Sequence, residues 1–134
     1  MKELFIAINL LHKKLIIHGD LSPNNILING DNVYIIDFGR SSRVDNLNNK
    51  VFIVGTNGYC ISDNKKYDDI YNFLSCKWNA NCDKYSLLKI FQYMLEYYKH
   101  DETKLYLIIN DYLVKCYDEE IVQLEELMDQ IMSS

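Results

Sequence analysis

Several features are scarce in this sequence, and each absence narrows the choices. No apolar run approaches the length of a membrane span, and the N-terminus lacks the pattern of a secretory signal. The four cysteines, Cys60, Cys76, Cys82 and Cys116, form no C-x-x-C pair and have no histidine at zinc spacing. Reduced, structural thiols are therefore expected, in an intracellular (cytoplasmic), reducing compartment. Positive charge is in short supply, with 14 Lys and Arg against 19 Asp and Glu, a net charge of −5. That balance argues against a nucleic-acid partner held by phosphate neutralisation, and no membrane partner is expected. Arginine is limited to Arg40 and Arg43. The five glycines, at 19, 30, 39, 55 and 58, nowhere form G-x-G-x-x-G.

What remains is ordinary for a globular protein: 134 residues, 49% of them apolar and 25% charged, enough for one small domain with a real core. The chain is organised around His18–Gly39, which reads HGDLSPNN, then ILINGDNVYII, then DFG. Ile26–Ile28 and Val33–Ile36 are apolar and β-branched, and Asn29-Gly30-Asp31-Asn32 between them is a turn signal, so a β-hairpin is predicted. A hairpin brings the loops at its two ends together. Asp20, Asn25 and Asp37 then converge, and hard oxygens at that density suit Mg²⁺, which completes its shell with water and phosphate.

This stretch resembles the catalytic loop and DFG segment of protein kinases. His18-Gly19-Asp20-Leu21 and Asn25 stand at the offsets of H-R-D-L-x-x-x-N, and Asp37-Phe38-Gly39 follows after a hairpin of suitable length. The resemblance implies an α+β, mainly helical fold: a kinase C-terminal lobe, residues 1–134, with a small hairpin carrying both loops. Seventeen residues precede His18, so the glycine loop and the strand with the phosphate-pairing Lys are expected to be missing.

The rest of the chain fits the same lobe. Residues 3–14 place Leu4, Ile8 and Leu11 on one helical face, with Phe5 beside them, and end in His12-Lys13-Lys14, where basic residues suit a helix C-terminus. His12 reads as a partly buried helix-end residue, and Leu15–Ile17 as a short strand. Arg40–Lys50 is polar and without period, where a kinase carries its activation segment; Val51–Val54 is strand-like, and Gly55–Tyr59 resembles the family's G-T-x-x-Y. Ile61-Ser62-Asp63 is a degraded match to A-P-E, and Lys115 is the cation available to pair with Asp63. Residues 64–82 are expected to be loop with one short helix. Asp83–Lys99 is apolar nearly all round and so predicted to be the most buried helix, resembling the central helix that begins D-x-x-S; Asp83 is expected to be its N-cap and an acceptor for the catalytic-loop backbone. Two more helices are predicted, at about Thr103–Cys116 and Glu119–Met132.

On this resemblance Asp20 is the base that orients the attacking hydroxyl, Asn25 and Asp37 hold Mg²⁺, and Thr56 hydrogen-bonds toward Asp20. Leu27 and Ile36 cover one side of the ATP adenine; His18, Phe38, Gly39 and Asp83 support the site. Gly19 replaces the Arg of H-R-D, which removes the usual anchor for an activation-loop phosphate, and Ser22 stands where Ser/Thr kinases carry a Lys. The function implied is transfer of the ATP γ-phosphate to a Ser/Thr hydroxyl of a protein, by a truncated domain that is weak or dependent on a partner. The alternative is an inactive kinase-lobe mimic that binds and modulates a full-length kinase or its substrate. An exposed apolar face around Leu4, Phe5, Leu27 and Ile36 is expected to receive that partner.

Overall fold

The computed structural model describes residues 2–49, 51–53, 56, 59, 76–97, 103–117 and 123–132. Among them are four helices and three two-stranded antiparallel sheets, an α+β and mainly helical arrangement. Helix α1 spans Lys2–Lys13 and buries Leu4, Phe5, Ile8 and His12. The i, i+4, i+8 spacing of Leu4, Ile8 and His12 makes the histidine part of the apolar stripe. Leu15 takes a left-handed backbone (φ 60°) just past the helix and turns the chain into strand β1, Ile16–Ile17.

A 3₁₀ turn, Pro23–Asn25, leads into the hairpin β2 (Ile26–Asn29) and β3 (Asn32–Ile35). Its register pairs Ile26 with Ile35 and Leu27 with Tyr34, leaving Gly30 and Asp31 as a two-residue turn. Gly30 has φ +62°, and glycine at the first of two turn residues is the type II′ choice. Alternation then sorts the faces. Ile26, Val33 and Ile35 pack against the core, while Leu27 and Tyr34 stay exposed.

Two pairings lie outside what the sequence pattern predicts. Ser42–Arg43 (β4), in the stretch read as irregular, pairs with β1 through Ile16↔Arg43 and Ile17↔Ser42. Val51–Ile53 (β5) pairs with Cys76–Trp78 (β6), so the end of the predicted 64–82 loop is strand instead. The short helix expected there, Asp63, and the match to A-P-E lie outside the described residues.

Helix α2, Asn81–Tyr97, is the centre of the core, with Tyr85, Leu87, Leu88 and Phe91 at or near zero exposure. Phe91 meets Phe5 of α1 ring to ring at 5.0 Å. Helix α3 (Thr103–Tyr117) packs on α2 through Leu105, Ile109 and Tyr112, and α4 (Leu124–Met132) seals the far side with Leu124, Leu127 and Ile131. Residues 119–122 of the predicted last helix lie outside the described residues. Leu4 and Phe5 are core residues, so the face expected to expose them does not exist. The amphipathic stripe of α1 turns them toward α2, and only Leu27 and Ile36 of that group are exposed.

Candidate active site

The site is built from a buried anchor outward. Asp83 is 1% exposed and lies in the first turn of α2. It does not cap that helix. Asn79 does, its Oδ1 accepting from the Asn81 N–H at 2.9 Å, which leaves the Asp83 carboxylate free to face the His18–Asp20 loop. Asp83 Oδ2 accepts the backbone N–H of His18 at 2.8 Å, and Oδ1 that of Gly19 at 2.9 Å. The imidazole of His12 reaches Oδ2 at 2.9 Å. Burial pushes the Asp83 carboxyl up, but the His12 bond and charge, with the Gly19 and His18 N–H groups, outweigh it. The carboxyl is held below the usual aspartate range. Sequence reasoning missed His12 as the partner; its place on the buried stripe was the available signal, since a buried polar ring needs a partner.

From this anchor the loop is fixed residue by residue. Gly19 has φ +86°, a left-handed backbone that glycine adopts without the Cβ penalty. The His18 ring receives the Asp20 N–H at Nδ1 (3.1 Å) and donates from Nε2 to the Ile36 carbonyl (3.0 Å). One ring therefore ties the Asp20 loop to the chain just before Asp37. The ring also meets Phe38 edge-on, centroids 4.9 Å apart. Asn25 donates its amide to the Asp20 carbonyl at 2.8 Å, which turns Oδ1 away as a spare acceptor. The Asn25 carbonyl accepts from the Ile36 N–H at 2.9 Å, closing the base of the hairpin beside Asp37.

Asp20 itself is half-buried, and its Oδ1 accepts from Thr56 Oγ1 at 2.7 Å. Thr56 is steadied from behind: Tyr59 N–H returns to the Thr56 carbonyl, and Ser86 Oγ of α2 donates to the Tyr59 carbonyl at 2.6 Å. The D-x-x-S pattern thus has both ends employed, Asp83 on one loop and Ser86 on the other.

Asp37 is the exposed member, with φ 59°, an unusual backbone for a non-glycine residue. Its Oδ1 accepts weakly from Gly39 N–H at 3.3 Å, and a Cβ at Gly39 would stand 3.3 Å from that oxygen. Leu27 (50% exposed) and Ile36 (36%) lie on the open side, next to Phe38 at 43%. Ser22 is fully buried and its hydroxyl has no partner among the described residues, so position 22 supplies neither cation nor exposed hydroxyl. Lys115 pairs with Asp111 one helical turn away at 3.4 Å.

Comparison with known proteins now bears on this arrangement. Residues 1–68 match the protein kinase domain family. The chain belongs to the protein kinase family. It is 33% identical over 90 residues to serine/threonine-protein kinase nekl-2 of Caenorhabditis elegans, covering 66% of this chain and 25% of that protein. It is 40% identical over 82 residues to a probable serine/threonine-protein kinase of Dictyostelium discoideum, covering 55% and 6% respectively. Calcium-dependent protein kinase 5 of Plasmodium berghei is 34% identical over 90 residues, covering 64% and 14%. The chain thus spans a quarter or less of the length of each of these kinases.

The kinase family works with Mg–ATP, and the donor set here fits that ion. Asn25 has an amide oxygen to spare and Asp37 a carboxylate facing solvent, both hard ligands. No cluster of three His, Cys, Asp or Glu suited to a metal occurs among the described residues. Mg²⁺ needs no such cluster when phosphates and water complete its shell.

Proposed function

We propose that this kinase-family chain carries the catalytic-loop side of a phosphotransferase that moves the γ-phosphate of ATP to a Ser/Thr hydroxyl of a protein. One observation carries the reading: Thr56 and Asn25 hold Asp20 from two sides, at the base of the hairpin whose other strand runs into Asp37. Among the described residues Asp20 Oδ2 has only a 3.4 Å contact with Asn25 Nδ2, which leaves it able to take a hydroxyl proton. Thr56 fixes the carboxylate's rotation and offers the acceptor a place beside it. Asn25 and Asp37 would hold Mg²⁺, which when bound neutralises charge on the phosphates. Leu27 and Ile36 would form one wall for the adenine, the other wall coming from polypeptide beyond these residues.

A second reading is favoured by the exposed apolar side chains Leu27, Ile36 and Phe38. Such a surface also suits a kinase-like lobe that docks on a full-length kinase or its substrate without transferring phosphate. Incubation of the chain with Mg–ATP and a Ser/Thr peptide separates the two. Transfer lost on Asp20→Asn, with the fold retained, supports the enzyme; no transfer by the wild-type chain, together with capture of a kinase through this face, supports docking.

A further inference from the structure

A cavity of about 250 Å³ lies behind the hairpin, on the face away from Leu27. Ile26 and Ile28 of β2 line it together, because alternation along the strand turns both to the side opposite Leu27. Met94 of α2 and Leu4 of α1 add further apolar wall. The mouth is apolar as well: Ile28 is 71% exposed, Tyr93 47% and Tyr97 67%. The two tyrosines lie one turn apart on α2 with their rings stacked, centroids 6.1 Å apart and planes 27° from parallel. Among the described residues that line the cavity, none carries a charge. None of the residues assigned to phosphate transfer lines it either, so this site is separate from the one proposed above. Pro23 does line it, two residues before Asn25, and the cavity therefore backs onto the catalytic loop.

We propose that this cavity binds a neutral, flat aromatic molecule of about two fused rings. Size, charge and shape each bear on the choice. A cavity of about 150 Å³ with an aliphatic and aromatic lining holds benzene, so this one has room for a second ring. A charge taken into a lining without charged partners would be desolvated and left uncompensated, which excludes nucleotides and other ions as occupants. The stacked tyrosines set an aromatic surface at the mouth, where a third ring can pack offset or edge-on at about 4.5–7 Å between centroids. A rigid ring system also gives up less freedom on binding than a flexible chain of the same area.

The experiment is a titration of the full chain followed by methyl-resolved NMR, with indole as the aromatic probe and octanol as the flexible apolar one. Indole should move the Ile28 and Met94 methyl signals along one saturable curve and leave Leu27 in place. A Kd of about 1 mM is expected for so small a ligand. Octanol should bind at least about tenfold more weakly. Met94→Trp fills the cavity with an aromatic side chain of the protein's own, and Ile28→Asp sets a charge at its mouth. Each should weaken indole at least about tenfold. Ile28→Asp alters an exposed side chain, so it decides the matter if Met94→Trp fails to fold. Indole shifts that never saturate, that follow Leu27 rather than Ile28, or that persist unchanged in either variant would overturn the proposal. Octanol binding as tightly as indole would overturn it too, because the occupant would then be an aliphatic chain.

Discussion

The two aspartates that bracket the site, Asp83 and Asp37, stand in opposite surroundings. Asp83 is 1% exposed, accepts two backbone N–H groups and an imidazole, and is held ionised by them in a medium that disfavours charge. Asp37 faces solvent, and among the described residues its side chain makes one long bond, to the second residue after it. One carboxylate has spent its acceptor capacity on the fold and the other has kept it. A charge that is fully satisfied inside the protein holds architecture, while one left open at the end of a strained backbone is available to a ligand. Loss of either should therefore show in different experiments.

The largest expected effect is on the buried side. Asp83→Ala strands the His18 and Gly19 amides and His12 Nε2 without acceptors, and should cost about 3–5 kcal/mol in urea unfolding. Phe5→Asp should be comparably damaging, because Phe5 is 2% exposed against Phe91 and a carboxylate there would be buried unpaired. A result in which either substitution is silent would break the comparison at its buried end.

Next comes pH. Asp83 is held below its ordinary value near 3.8, so its folded state binds a proton less readily than its unfolded state. The stability it contributes is complete above about pH 4 and is lost as pH falls through the lower, folded value. Acid titration of unfolding should show this loss in wild type and a shallower slope below pH 4 in Asp83→Asn. Cys116 shifts the other way, its thiol pushed up to about 12 by burial, with Lys84 pulling it back in part. Its contribution is complete below its ordinary value of 9.0 and lost as pH rises toward 12. At pH 8 the folded chain should leave Cys116 unalkylated, and urea should expose it to the reagent.

The hairpin's outer face should respond least in stability. Leu27→Glu places a charge on a side chain already half in water, and the free energy of unfolding should change by no more than about 0.5 kcal/mol. Partner capture or nucleotide binding should nevertheless fall, since the apolar face is interrupted.

The two ends of this comparison were not equally legible in the sequence. The open end was: Asp20, Asn25 and Asp37 are separated by a hairpin whose turn chemistry and alternation are local, so their spacing could be read directly. Helix α2 was legible for the same reason, its stripe of Tyr85, Leu88 and Phe91 being a short-range signal. The buried end depends on contacts 64–71 residues apart in sequence. Asp83 read equally well as an N-cap until the fold supplied Asn79 for that role. The β1–β4 pair was invisible because Ser42–Arg43 are held by backbone bonds that carry no side-chain pattern. Cys76–Trp78 is a strand only because β5 lies beside it.

The measurement that most directly tests the account is a pair of readings on Asp37→Asn, calorimetric titration with Mg–ATP and urea unfolding. If Asp37 is the open ligand of a kinase-family nucleotide site, wild type binds Mg–ATP, the variant's binding disappears, and both unfold at the same midpoint. Equal Mg–ATP binding by wild type and Asp37→Asn would contradict it.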